Sequence, residues 1–172
     1  MDNRFTFIIG GARSGKTAFA LSCAEKLKGT KTYIATGGAF DAEMSERIKR
    51  HKLERGNEWA TIEEPLDVVK ALAGLNPSGA VLIDCITLWL NNFIWKGLSD
   101  EAILGEVKRL AEFCPSCGKN VFAVSNEVGG GIVPEHPVAR RFRDLSGAAN
   151  GRLAAFADEV YLMTAGIPLK IK

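Results

Sequence analysis

The sequence predicts an α/β protein: a mainly parallel sheet with helices on both faces and an antiparallel edge hairpin at the C-terminus. Three observations predict it. Short apolar runs alternate with helix-periodic stretches along almost the whole chain, the pattern of successive βαβ units. The segment Gly10-Gly-Ala-Arg-Ser-Gly15-Lys16-Thr17 joins the first apolar run to the first helical one, as a phosphate loop joins strand to helix. The last two strand-like runs are separated only by residues 164–168, too short a connection for a parallel crossover.

The elements follow in order. Residues 4–9 are rich in Phe and Ile and end in Gly10-Gly11, so they read as a buried strand. Residues 16–28 carry Ala20, Leu21, Ala24 and Leu27 at helical spacing, with Gly29 as the stop. A second strand is expected at 31–36, closed by Gly37-Gly38. Residues 41–55 form a strongly charged helix with Asp41 as its cap and Gly56 as its end. A short strand at 59–62 precedes a helix opened by Pro65 and running to about residue 73. Residues 80–84, Ala-Val-Leu-Ile-Asp, are apolar up to the last, as a strand covered on both faces must be. Helices at 86–95 and 100–113, a buried strand at 120–125 and a glycine-rich loop at 128–132 come next. A helix at 137–158 and strands at 159–163 and 169–171 close the chain. No repeat, low-complexity tract or linker interrupts it, so the 172 residues are expected to form one domain.

Composition narrows the function classes. The net charge is only +2, from 22 basic and 20 acidic residues, and no basic stretch is interleaved with aromatics, so nucleic acid is not an expected partner. The apolar run at 81–95 is broken by Asp84 and Asn91-Asn92, and no stretch reaches the ~20 residues a membrane span needs. Residues 1–11 do not read as a signal peptide. The chain is therefore expected in the cytoplasm. Cys23 and Cys85 sit in apolar periodic segments and read as buried thiols. Cys114 and Cys117 form a single CxxC without a second ligand pair, placed where a helix ends rather than begins.

The phosphate loop carries the chemistry. Gly10, Gly11 and Gly15 let the backbone curl, so that the N–H groups of the loop through Ala12, Arg13 and Ser14 point at phosphate oxygens. Lys16 brings a cation to the β- and γ-phosphates, and the Thr17 hydroxyl is a ligand for Mg²⁺. The following helix adds the positive end of its dipole. Such a site needs an acid at the end of a neighbouring buried strand, and Asp84 is the candidate. Asp84 could also serve as the cap of the helix that follows.

There are two histidines. On the charged helix Arg47, His51 and Arg55 recur at i, i+4 and i+8 and share a face. Neighbouring cations disfavour imidazolium, leaving a neutral nucleophile beside groups that stabilise phosphoryl charge. A solvated basic face with a bystander histidine has the same pattern. His136, in Pro-Glu-His-Pro, reads as a loop residue.

The residues together resemble the bifunctional adenosylcobinamide kinase/adenosylcobinamide-phosphate guanylyltransferase family of cobalamin biosynthesis. Besides the phosphate loop, the matching segments are Tyr33-Ile-Ala-Thr-Gly37, Asp41-x-Glu-Met44, Arg47-Ile-x-x-His-Lys52 and Asn126-Glu-Val-Gly129 with Gly131-Ile-Val-Pro134. Ala139-Arg-x-Phe-Arg-Asp144, Gly147-x-x-Asn150, Arg152-Leu-Ala154, Ala157-Asp-Glu-Val160 and Gly166-Ile-x-x-Lys-Ile-Lys172 extend the match over nearly the whole chain. The resemblance implies a RecA-like P-loop fold assembled as a homotrimer. It implies phosphorylation of the aminopropanol hydroxyl of adenosylcobinamide by ATP or GTP, then transfer of GMP from GTP to that phosphate, releasing pyrophosphate. It makes His51 the carrier of a GMP–histidine intermediate. It also implies nucleotide contacts from Ala35, Thr36 and Gly37, from Lys52, Leu53, Glu54 and Arg55, and from Glu63 and Asp84. The family often has Asn-Gln-Arg where this chain has Asn150-Gly151-Arg152, which puts any contact by the Gln in doubt. Two other classes compete: a P-loop kinase with no transferase step, for which His51 would be dispensable, and a non-catalytic nucleotide switch with a macromolecular partner.

Overall fold

The computed structural model describes residues 3–37, 58–76 and 79–172. The helix expected at 41–55 lies outside the described residues. Seven strands form one sheet: β1 (Phe5–Gly10), β2 (Thr30–Ala35), β3 (Trp59–Glu63), β4 (Gly79–Asp84), β5 (Asn120–Asn126), β6 (Glu159–Thr164) and β7 (Ile167–Lys170). Their order is β3-β2-β4-β5-β1-β6-β7, and every pair is parallel except the β6–β7 hairpin. The helices are α1 (Lys16–Glu25), α2 (Val68–Ala73), α3 (Ile86–Trp95), α4 (Asp100–Phe113) and α5 (Pro137–Phe156), with a 3₁₀ turn at Cys114–Ser116.

The strands alternate side chains between two cores, as a period of two requires. Phe5, Phe7, Val81, Ile83, Val121 and Ala123 face α2 to α5. Ile8, Leu82, Phe122 and Val124 face α1, which approaches closely because only Ala20 and Ala24 intervene. On α5, Leu145, Ala149 and Leu153 recur at i, i+4 and i+8 and are buried against that first core. Both sheet faces thus carry helices, unevenly: four on one side and one on the other among the described residues.

Of the boundaries that differ from the sequence expectation, three have a local cause in the chain. The helix expected from Pro65 begins at Val68. The Glu64 carboxylate accepts the Leu66 and Asp67 N–H groups, making a turn, and Asp67 then caps the helix by accepting from the Lys70 N–H. Helix α1 stops at Glu25, because Leu27 N–H bonds the Ala24 carbonyl and Gly29, at φ 103°, turns the chain into β2. The last strand begins two residues early, since Thr164 pairs with Ile167 across a turn at Ala165-Gly166.

Gly151 lies inside α5 and is exposed, and a Cβ there meets nothing within 4 Å. Gly151→Ala is expected to stabilise the fold by about 1 kcal/mol, read as a melting temperature raised by about 2–4 °C. A lowered melting temperature would mean that the bare face packs against a partner that a methyl displaces.

Candidate functional site

Parallel strands put all their carboxyl ends on one edge, where α/β folds bind ligands. Along that edge stand Ala35 of β2, Asp84 of β4, Asn126 of β5 and Gly10 of β1. Register fixes the neighbours: Ala35 lies opposite Asp84, Glu63 opposite Ala35, and Gly10 opposite Asn126. The sheet therefore sets the phosphate loop one strand away from the acid.

Two glycines of the loop do not tolerate substitution, while Gly11 stands open. A Cβ on Gly10 would sit 2.5 Å from the Met163 carbonyl and 2.8 Å from Ser14 Oγ, and the backbone cannot yield. Gly15, the N-cap of α1, is left-handed at φ 89°, as is Arg13 at φ 56°. Gly15 makes no side-chain cap bond, so the N–H groups of the first turn and the helix dipole face the loop. The loop is braced from outside: Gly166 N–H, in the β6–β7 turn, bonds the Ser14 carbonyl at 3.2 Å, and Glu127 N–H bonds the Gly10 carbonyl at 2.9 Å. Ala12 and Arg13 are exposed while Ser14 is buried.

Lys16 is buried, and its ammonium lies over the loop, 2.6 Å from the Gly11 carbonyl, 3.0 Å from the Gly10 carbonyl and 3.4 Å from Ser14 Oγ. One residue on, Thr17 Oγ1 donates to Asp84 Oδ2 at 2.9 Å, and the Tyr33 hydroxyl donates to the same oxygen at 2.8 Å. The structure therefore brings Thr17 and Asp84 together, although they are far apart in sequence. Asp84 is not the cap of α3. That position belongs to Cys85, whose side chain makes no cap bond. A hydroxyl and a carboxylate side by side are hard oxygen donors, the kind Mg²⁺ accepts, so the pair fits that ion. Burial first, and then the Asp84 carboxylate, push the Cys85 thiol up to about 11, which keeps it protonated and unreactive.

Of the remaining expected contacts, Thr36 is fully buried. Its N–H bonds the Asp84 carbonyl at 3.2 Å and its hydroxyl the Cys85 carbonyl at 2.7 Å. Ala35 and Gly37 flank it at the end of β2, and Glu63 is exposed at the end of β3. His51, Lys52, Leu53, Glu54 and Arg55 lie outside the described residues. His136 is the N-cap of α5, its Nδ1 accepting from Val138 N–H at 3.3 Å. Cys114 is buried and Cys117 Sγ donates to its carbonyl, so the pair closes the end of α4.

Sequence reasoning missed the polar scaffold beneath the edge. Asn92 of α3 donates to the Thr36 carbonyl at 2.7 Å and the Pro65 carbonyl at 2.9 Å, tying the ends of β2 and β3 to one helix. Asn126 Nδ2 donates to Thr87 Oγ1, and Asn150 bridges Ser125 Oγ and the Asn126 carbonyl. No local spacing signals these residues. Asn92 is visible only as an amide inside an apolar run, whereas Asn126 and Asn150 stand in segments that carry the family resemblance, with no role attached to them there. Two cavities of about 180 and 160 Å³ open elsewhere, near the strand starts, lined by residues such as Thr30, Gly79 and Lys119, and Arg4, Asn120 and Glu159. Among the described residues, Lys16, Thr17 and Asp84 do not line either of them.

Comparison with known proteins follows the same line. The family model described as cobinamide kinase / cobinamide phosphate guanyltransferase matches residues 6–171. The bifunctional adenosylcobalamin biosynthesis protein CobU of Salmonella typhimurium is 41% identical over 182 residues, covering 96% of this chain and 98% of that protein. CobU of Escherichia coli is 39% identical over 181 residues, with the same coverage. CobP of Pseudomonas aeruginosa, also a bifunctional adenosylcobalamin biosynthesis protein, is 37% identical over 168 residues, 96% of this chain and 95% of its own. Among solved structures, a KaiC-like protein of Pyrococcus horikoshii superposes with a TM-score of 0.52 at 13% identity, over 92% of this chain and 70% of that one. The flagellar accessory protein FlaH of Methanocaldococcus jannaschii gives 0.51 at 12% identity, over 98% and 78%. At such identities they speak for the fold alone, which is the RecA-like P-loop fold.

Proposed function

Because the chain belongs to the cobinamide kinase / cobinamide phosphate guanyltransferase family, we propose that it performs both reactions of that name in cobalamin biosynthesis, on adenosylcobinamide. The observation that carries the reading is the phosphate loop with Lys16 over it and the Thr17–Asp84 pair beside it, in a chain that matches its relatives from end to end.

In the first step the aminopropanol hydroxyl of adenosylcobinamide attacks the γ-phosphorus of ATP or GTP. The bond to the β-phosphate oxygen breaks, the nucleoside diphosphate leaves and the hydroxyl proton passes to water. The loop amides and Lys16 hold the triphosphate; Thr17 and Asp84 would hold Mg²⁺, which would supply countercharge to the phosphates. In the second step a neutral His51 nitrogen attacks the α-phosphorus of GTP and expels pyrophosphate. An oxygen of adenosylcobinamide phosphate then attacks the same phosphorus, the P–N bond breaks and adenosyl-GDP-cobinamide forms. Ala35, Thr36, Gly37, Glu63 and the segment Lys52 to Arg55 contact nucleotide in this reading. Family resemblance supports a homotrimer working in the cytoplasm, and no helix among the described residues is long and apolar enough to cross a membrane.

Incubation with adenosylcobinamide and GTP, followed by mass spectrometry, is expected to give the phosphate first and the GDP conjugate second, with pyrophosphate released. The phosphate alone would reduce the protein to a kinase. Unchanged corrinoid would remove the assignment.

A further inference from the structure

We infer that the Tyr33 hydroxyl is a positioning group for the site's carboxylate: it fixes the orientation of Asp84 and thereby the strength with which Mg²⁺ is held at Thr17. The inference rests on the reading of Thr17 and Asp84 as the metal pair. Asp84 Oδ2 takes two hydrogen bonds from two different elements, Thr17 Oγ1 of α1 at 2.9 Å and Tyr33 OH of β2 at 2.8 Å. Two donors on one oxygen fix the carboxylate plane. Oδ2 is then committed to the protein, and Oδ1 is the oxygen that a metal-bound water would use. The Thr17 proton is directed at Asp84, so the lone pairs of Thr17 Oγ1 are left for the ion.

The phenol reaches this carboxylate by a route the sheet provides. Strand β2 lies beside β4, with Tyr33 opposite Leu82 and Ala35 opposite Asp84. The ring leans two residues along the neighbouring strand, on the face that carries α1. Tyr33 is 4% exposed, packed in the core with Ile8 and Leu82. A phenylalanine ring fills the same space, so packing does not require the hydroxyl. A buried phenol needs an acceptor, and here that acceptor is the acid of the candidate site. Groups that orient metal-binding carboxylates in this way typically account for about 10–100-fold in metal affinity.

The test is Tyr33→Phe, with binding of a fluorescent guanine nucleotide followed across a Mg²⁺ titration in the absence of corrinoid. The half-saturating Mg²⁺ concentration is expected to rise about 10-fold or more. Nucleotide affinity without metal and the melting temperature of the nucleotide-free protein should stay near wild type. Asp84→Asn should raise the Mg²⁺ requirement as well, and adding Tyr33→Phe to it should raise it no further. An unchanged Mg²⁺ midpoint in Tyr33→Phe, or full additivity in the double variant, overturns the inference and leaves the hydroxyl a partner of convenience. If the wild-type chain binds nucleotide equally well without Mg²⁺, the metal-pair reading itself falls, and the inference with it.

Discussion

His51→Ala is expected to abolish incorporation of label from GTP marked at its α-phosphate, together with all nucleotide transfer, while phosphorylation of adenosylcobinamide persists. The adduct is a phosphoramidate, labile in acid and stable in alkali, which separates it from a serine or threonine ester. Label at the γ-phosphate should not be retained, because the γ-phosphate departs with pyrophosphate. The charge of the ring decides whether it can attack. A nucleophilic imidazole must be neutral near pH 7, and the spacing expected from the sequence sets Arg47 and Arg55 one turn either side of His51, where cations would disfavour its protonation. The same cations stabilise charge on the α-phosphate under attack. The kinase step has its own machinery in Lys16, Thr17 and Asp84, so the two activities should separate in this variant. Only His136 could substitute, and its geometry speaks against it. It caps α5, with Nδ1 accepting from Val138 N–H at 3.3 Å, so that nitrogen is engaged in holding the helix start. An acid-labile adduct that survives His51→Ala would nevertheless move the nucleophile there. Transfer without an adduct in either protein would mean direct attack by the substrate phosphate.

Most strands were legible because burial on both faces leaves a mark in composition. Residues 79–84 and 120–126 are nearly continuous apolar runs, and their bounds shifted by a single residue from the sequence reading. Asp84 stood out for the same reason, as an acid closing such a run. What sequence could not supply was strand order. Tyr33 and Asp84 meet because β2 docks beside β4 rather than β1, and no local periodicity encodes which strands become neighbours. Asn92 was hidden likewise: in α3 it reads as a polar break in an apolar helix, and its role emerges only when the ends of β2 and β3 both arrive beneath it. The start of α2 failed for a different reason. Pro65 at a first helical position is a sound signal, but Glu64 and Asp67 compete locally for the same N–H groups and delay the helix by three residues.

Lys16→Ala is expected to lower the kinase rate by about 10³-fold or more, since phosphoryl transfer leaves the protein little to do beyond positioning and charge neutralisation. Stability is expected to change far less. The Lys16 ammonium is bound by the carbonyls of Gly10 and Gly11 and by Ser14 Oγ, all within a loop that Glu127 N–H and Gly166 N–H hold independently. Removing the lysine should therefore cost charge at the phosphates and leave the curl of the backbone intact. A melting temperature close to wild type, beside a collapsed rate, is the expected pair of measurements. The guanylylation step then carries a further meaning. His51 attacks the α-phosphorus, two phosphates inward from the group the kinase transfers. If the triphosphate lies in the same loop for both steps, Lys16→Ala should depress α-label incorporation along with phosphorylation. If label enters at the wild-type rate while phosphorylation fails, GTP for the transfer is bound elsewhere, and the loop serves the kinase alone. Near-normal rates in both steps would contradict the nucleotide site at Gly10 to Thr17, because Lys16 is the cation seen over these loop carbonyls among the described residues.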